Sequence, residues 1–153
     1  MNRILILIIL LSSSYVGSYA QDQSKIQSMV DGKSYNFVAR VMYPTGSRSI
    51  QLTTEYLITI SPDSVSADLP YFGRVYSATI GSQGGIQFTS TKFDLKTSKN
   101  KKDGWTVTVR PKDVTDPRQL TLFISSTGNT SVNITSNNRQ TISYSGELRE
   151  RNL

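Results

Sequence analysis

The residues Trp105-Thr106-Val107-Thr108-Val109-Arg110 alternate large apolar and polar side chains without a break. A period of two puts one face of an extended chain into a core and the other into water, and a helix cannot use it. The same alternation recurs along the chain: Tyr35, Phe37, Ala39, Val41 and Tyr43; Ile50 and Leu52; Tyr56, Ile58 and Ile60; Val65, Ala67 and Leu69; Ile86 and Phe88; Phe93 and Leu95; Leu120, Leu122 and Ile124; Val132 and Ile134; Ile142 and Tyr144. Val75 to Ile80 reads as a further run. Turn-forming clusters separate them, among them Pro44-Thr45-Gly46-Ser47, Ser61-Pro62-Asp63, Gly81 to Gly85, Thr127-Gly128-Asn129 and Asn137-Asn138. About ten short strands are expected, with turn signals every 8–12 residues or so. No segment between them is long enough for a crossover helix, so the strands must pair antiparallel. The fold class is all-β, an antiparallel sandwich or barrel, with a lipocalin-like barrel as one form. One short helix is expected near the N-terminus, where Ile26, Met29 and Val30 share a face and Asp31-Gly32 ends the run.

Ahead of that helix the chain carries the marks of an export leader. Arg3 is followed by the apolar run Ile4 to Leu11 and by the small-x-small exit Ser18-Tyr19-Ala20. That run is much shorter than the roughly 20 residues a membrane-spanning helix needs. Residues 1–20 are therefore expected to be a signal peptide, and residues 21–153 a single β domain. With no cysteine at the exit, a lipid anchor is not available, so the product is expected to be periplasmic or extracellular and to have no transmembrane helix. With no cysteine anywhere, the fold must rest on its core alone, which a domain of this length can supply. The net charge of +6 is concentrated locally, with Lys92, Lys96, Lys99, Lys101 and Lys102 close together. TSKNKKDG reads as a hairpin tip, either solvated or touching an anionic surface or polysaccharide. It lacks the interleaved aromatics of a nucleic-acid face.

The missing residue types bound the chemistry. Without histidine or cysteine there is no Ser-His-Asp or Cys-His triad and no usual zinc or copper set, so no metal or cofactor is expected. Ser98-Lys99-Asn100-Lys101 matches S-x-x-K but has neither the helix start nor the companion motifs of an acyl-enzyme. Gly81 to Gly85 lacks the lysine and the helix of a phosphate loop and reads as a turn. The sequons at Asn129 and Asn133 arise easily in a chain rich in Ser, Thr and Asn. Paired carboxylates remain the one catalytic option, with Glu55 and Asp68 as candidates and Asp94 expected to face solvent.

Two stretches differ from ordinary strand filler: LPYFGRVY (Leu69 to Tyr76) and NRQTISYSG (Asn138 to Gly146). Pro70 ends the preceding strand and Gly73 lets the chain turn back, so Tyr71 and Phe72 sit on a constrained corner. One reading is a structural seal, with one ring buried, a tyrosine hydroxyl donating, and Arg74 paired to Asp68 or a nearby carbonyl. The other is a ligand platform of rings beside a cation, with Tyr71, Phe72, Arg74, Tyr76, Arg139 and Tyr144 as candidate binding residues. Together with the Gly104-Trp105 strand start, these motifs resemble an uncharacterised family of secreted proteins of Bacteroidota-type bacteria, known as a domain of unknown function. The resemblance spans nearly the whole mature chain. It implies periplasmic or outer-envelope residence and carries over no activity and no catalytic residue. Many members of that family bear a lipoprotein cysteine, which this chain lacks. The expected function is a non-enzymatic exported binding or accessory module that captures a small apolar or carbohydrate ligand, or a partner protein of the envelope. The alternatives are a carboxylate-based glycan hydrolase and a structural or adhesion component.

Overall fold

The computed structural model describes residues 16–76 and 84–151, with side chains from residue 22 onward. The expected leader core and most of the run Val75 to Ile80 lie outside the described residues. Helix α1 (Val16–Asp31) is followed by strands β1 (Tyr35–Pro44), β2 (Ile50–Ile60), β3 (Val65–Pro70), β4 (Gly85–Ser90), β5 (Phe93–Lys99), β6 (Trp105–Pro111), β7 (Gln119–Ile124), β8 (Asn129–Thr135) and β9 (Ile142–Glu150). Nine strands are thus described, close to the count read from the alternation. They form one antiparallel sheet in the order β4-β3-β2-β1-β9-β8-β7-β6-β5, curled into a nearly closed barrel.

The alternation places most of the core as expected, but past the bulge between Ala39 and Val41 the phase slips, so that Met42 turns inward while Tyr43 and Ile50 are exposed. Phe37, Ile58, Val65, Leu69, Val107, Val109, Leu120, Leu122, Val132, Ile134 and Tyr144 are all buried in one cluster inside the curl. Helix α1 closes one end, with Ile26, Met29 and Val30 in the same cluster. It starts upstream of the segment that the sequence marks as helical. It ends in a Schellman motif: Ser34 N–H donates to Met29 O (3.2 Å) and Lys33 N–H to Val30 O (3.2 Å). Gly32 stands one position too early to take the left-handed residue, which falls to Lys33 at φ 50°.

A sheet of nine antiparallel strands has edge strands that run in the same direction. Here the edges are β4 and β5, consecutive in sequence and separated only by Thr91 and Lys92. Two parallel neighbours cannot be joined side by side by so short a link, since such a pair needs a crossover of a dozen or so residues. The two strands are therefore successive halves of one bent strand. The first half pairs with β3 and the second with β6, and this brings the two ends of the sheet together. Asp113, in the β6–β7 connection, clamps the bend. Its carboxylate accepts from Ser90 Oγ, from Thr91 N–H (2.9 Å) and Oγ1 (3.3 Å), and from Lys92 N–H (3.1 Å).

Those donors, led by Ser90, hold the Asp113 carboxyl down to about 2. A carboxylate with a lowered folded-state pKa adds stability at pH above its ordinary value near 4. That contribution fades as pH falls from about 4 to about 2. The Asp113→Asn variant is expected to melt several degrees lower at pH 7. It should also lose part of the decline in Tm that the parent shows across this acid window, as read by circular dichroism melts from pH 2 to 7 or so.

Candidate functional site

The end of the barrel opposite α1 is built around the LPYFGR corner. Pro70 ends β3, paired with Gly85, and the chain then folds Tyr71 back over Gly73. A Cβ at Gly73 would lie 2.6 Å from the Tyr71 hydroxyl, so a side chain there would push the ring out of its present seat. The Tyr71 hydroxyl, buried with its ring, is positioned to donate to Arg74 O (2.9 Å) or Gln140 O (3.0 Å). The chain after the corner is tied to the segment before β9 by a bridge between Val75 and Arg139. Gln140 N–H donates to Arg74 O (3.0 Å) and Tyr76 N–H to Asn138 O (2.7 Å). From β9, Tyr144 donates to Pro70 O at 2.6 Å. Burial pushes both the Tyr71 and Tyr144 phenols up, so each remains a neutral donor.

Arg139 caps this assembly. Its guanidinium carbon sits 5.0 Å from the Tyr71 ring centroid, within cation–π reach. Its Nη1 donates to Gly85 O (2.9 Å), and its Nε lies 2.8 Å from Asp116 Oδ2. Both side chains of that ion pair are mostly buried, 16% and 14% exposed. The contact is ionic rather than an aligned hydrogen bond, and Asp116 Oδ1 has no donor among the described residues. Residues 113–116 thus fasten β4 at both ends, Asp113 at Ser90 and Asp116 through Arg139 at Gly85.

The candidate residues fall into two groups. Tyr71, Arg139 and Tyr144 meet inside the corner, with their polar groups engaged by the protein itself. Phe72, Arg74 and Tyr76 stand outside it, with Phe72 60% and Tyr76 70% exposed and Val75 beside them at 48%. The expected pairing of Arg74 with Asp68 is not formed, because Asp68 lies on β3 and accepts from Gln87 Nε2 (2.9 Å). Arg139, delivered from the far end of the sequence, takes the carboxylate and the carbonyl instead. The Arg74 side chain makes no ion pair or hydrogen bond with a described residue. Sequence reasoning missed Asp116, which is marked only by its place before Pro117 in a polar connection.

An open depression of about 760 Å³ separates this segment from the β1–β2 turn. Phe72, Arg74 and Val75 line one side, Thr45 and Ser47 the other, and Tyr71 with Gln140 form its floor. Thr45 Oγ1 donates to Thr141 O (2.7 Å), which pins the turn against the chain entering β9. Its described lining holds a cation, rings and hydroxyls and no carboxylate. The carboxylates at Glu55 and Asp68 are engaged elsewhere: Glu55 accepts from Arg149 (2.6 Å) on the outer face of the sheet. Among the described residues no group of three or more His, Cys, Asp or Glu side chains is placed to hold a metal.

Residues 18–148 match the profile of DUF4251, a domain of unknown function. The chain belongs to the DUF4251 family. A crystal structure of a DUF4251 family protein from Bacteroides eggerthii has the same fold, with a TM-score of 0.63 at 16% identity over 86% of this chain and 89% of that one. No curated protein matches the chain. Among the described residues of this DUF4251 chain, no helix is long and apolar enough to cross a membrane.

Proposed function

We propose that this DUF4251 chain is an exported, non-enzymatic binding module of the cell envelope, and that its corner captures an acidic carbohydrate. The observation that carries the reading is the contrast within LPYFGRVY. Tyr71 and the backbone are clamped from two sides, while Phe72, Arg74 and Tyr76 are held out in solvent with nothing to support inside the protein. Exposed rings on a rigid segment lose little conformational entropy on binding, and a ring face stacks well on a sugar. An unpaired guanidinium beside them offers a bidentate partner for a carboxylate on that sugar. The barrel centre is filled by core side chains, so the ligand is held at the rim and not inside the barrel.

Calorimetric titration with uronic-acid-containing oligosaccharides tests this. Phe72→Ala and Arg74→Ala should each weaken binding by about tenfold, the effect of losing one good contact of roughly 1.4 kcal/mol. Both should leave Tm within a degree or two of the parent, because neither side chain is buried. Unchanged affinity in both variants would overturn the assignment of the corner as the ligand site.

A further inference from the structure

The opposite end of the barrel carries a feature that ligand capture at the corner does not use. The β5–β6 hairpin projects there: Lys99 pairs with Trp105, and Trp105 with Ile124 at the base of the β7–β8 turn. That turn contains Gly128, against which Ile26 of α1 packs, so hairpin tip and helix share one end. Lys96, Lys99, Lys101 and Lys102 are all exposed on this hairpin, and none makes an ion pair with a described residue. Of the neighbouring acids, Asp94 is paired with Lys112 (2.6 Å), which leaves only Asp103 in the turn itself. Lysine on an exposed edge strand blocks sheet-to-sheet pairing. That accounts for Lys96 on β5 but not for Lys101 and Lys102, which lie beyond the strand.

A second observation comes from β7. Phe123 pairs with Thr106, which in turn pairs with Ser98, so Phe123 lies on the outer face of the sheet two strands from the basic edge. It is 43% exposed amid threonines and serines, whereas Trp105 beside it is buried. Unpaired ammonium groups on the hairpin and a solvent-facing phenyl ring on the outer face of β7 present two chemistries at one end. A small anion needs a concave site with converging donors, and an acidic sugar needs ring and cation side by side, whereas Phe123 lies two strands away from the basic edge. A surface with anionic head groups over an apolar interior satisfies both.

We infer that this end is a peripheral docking surface for an anionic phospholipid membrane, with the tip lysines on the head-group phosphates and Phe123 at the acyl boundary. The corner with Phe72 and Arg74 then points away from the bilayer. The docking rests on different residues from the carbohydrate reading and stands or falls separately.

Co-sedimentation with phosphatidylglycerol-containing and pure phosphatidylcholine vesicles tests it, using the chain as the exporting cell processes it. Binding is expected only to the anionic vesicles at low salt, and to fall away at about 0.5 M salt as screening shortens the reach of the charges. Lys99→Gln, Lys101→Gln and Lys102→Gln combined should reduce partitioning by about tenfold or more, since each ammonium adds to the attraction. Phe123→Ser should reduce it severalfold without changing the salt dependence. A control that removes the same number of positive charges elsewhere, Arg74→Gln, Arg110→Gln and Arg118→Gln, should retain most of the binding. Equal loss in the control and tip variants would overturn the inference, because net charge alone would then explain the attraction. So would unchanged partitioning of the tip variant, or equal binding to neutral vesicles.

Discussion

Replacing Gly146 by alanine is expected to prevent the protein from reaching its native fold, or to lower its Tm by about 10 °C or more. Gly146 lies on β9 opposite Ala39 of β1, where the register shifts between Ala39 and Val41. A Cβ there would come 1.9 Å from the Val38 carbonyl oxygen, 2.9 Å from its carbon and 3.1 Å from the Phe37 ring. The first two are backbone atoms of the paired strand and cannot swing aside, so the strands themselves must separate. This seam joins β1–β4 to β5–β9 in the only sheet described, which leaves no second sheet to hold the halves together. The cost is expected to exceed about 3 kcal/mol, at the upper end for forcing extra volume into a packed site. Gly84→Ala is the matched control: nothing lies within 4 Å of a Cβ there, and its Tm should not move. A native-like melt for Gly146→Ala would refute the close β1–β9 approach.

Arg139→Ala is the second large effect expected. The substitution strands Asp116, whose side chain is only 14% exposed, and at the same time strips Gly85 O of its donor and the Tyr71 ring of its cation. Removing one partner of a buried ion pair costs about 3–5 kcal/mol, because the remaining charge is left without compensation. For a domain of this size that corresponds to a Tm loss of about 10 °C. Adding Asp116→Asn should recover part of the loss, since the stranded charge is then gone, and a double-mutant cycle of melts measures the coupling. Arg74→Ala, four residues beyond Pro70, should be nearly silent in the same assay. Comparable losses at Arg74 and Arg139 would contradict the division of the corner into an internal clamp and an external face.

Much of this was legible in the chain itself. The period-two runs located the strands because a strand buries every second side chain whatever its partner is, and Trp105 to Arg110 became β6 almost to the residue. The end of α1 was likewise readable at Asp31-Gly32, although the left-handed position fell on Lys33. The corner was recognisable from Pro70 and Gly73, whose backbone limits act locally. The choice between sandwich and barrel was not, because it depends on where the chain bends between β4 and β5 and on Asp113, twenty-three residues from Ser90. Nor was the partner of the corner's rings, since Arg74 and Arg139 are equivalent as letters and only their positions in the fold separate them.

The sequence by itself determined that the protein is all-β and antiparallel, free of disulfides, and without histidine or cysteine chemistry, because alternation, missing crossovers and absent residue types need no knowledge of contacts. Tertiary structure alone decided that the sheet closes through one bent strand, that Arg139 and not Arg74 is held by a carboxylate, and that Phe72, Arg74 and Tyr76 face outward. Each of those outcomes depends on groups brought together from distant parts of the chain, and the pairing of distant groups is fixed by the three-dimensional register of strands rather than by any local preference.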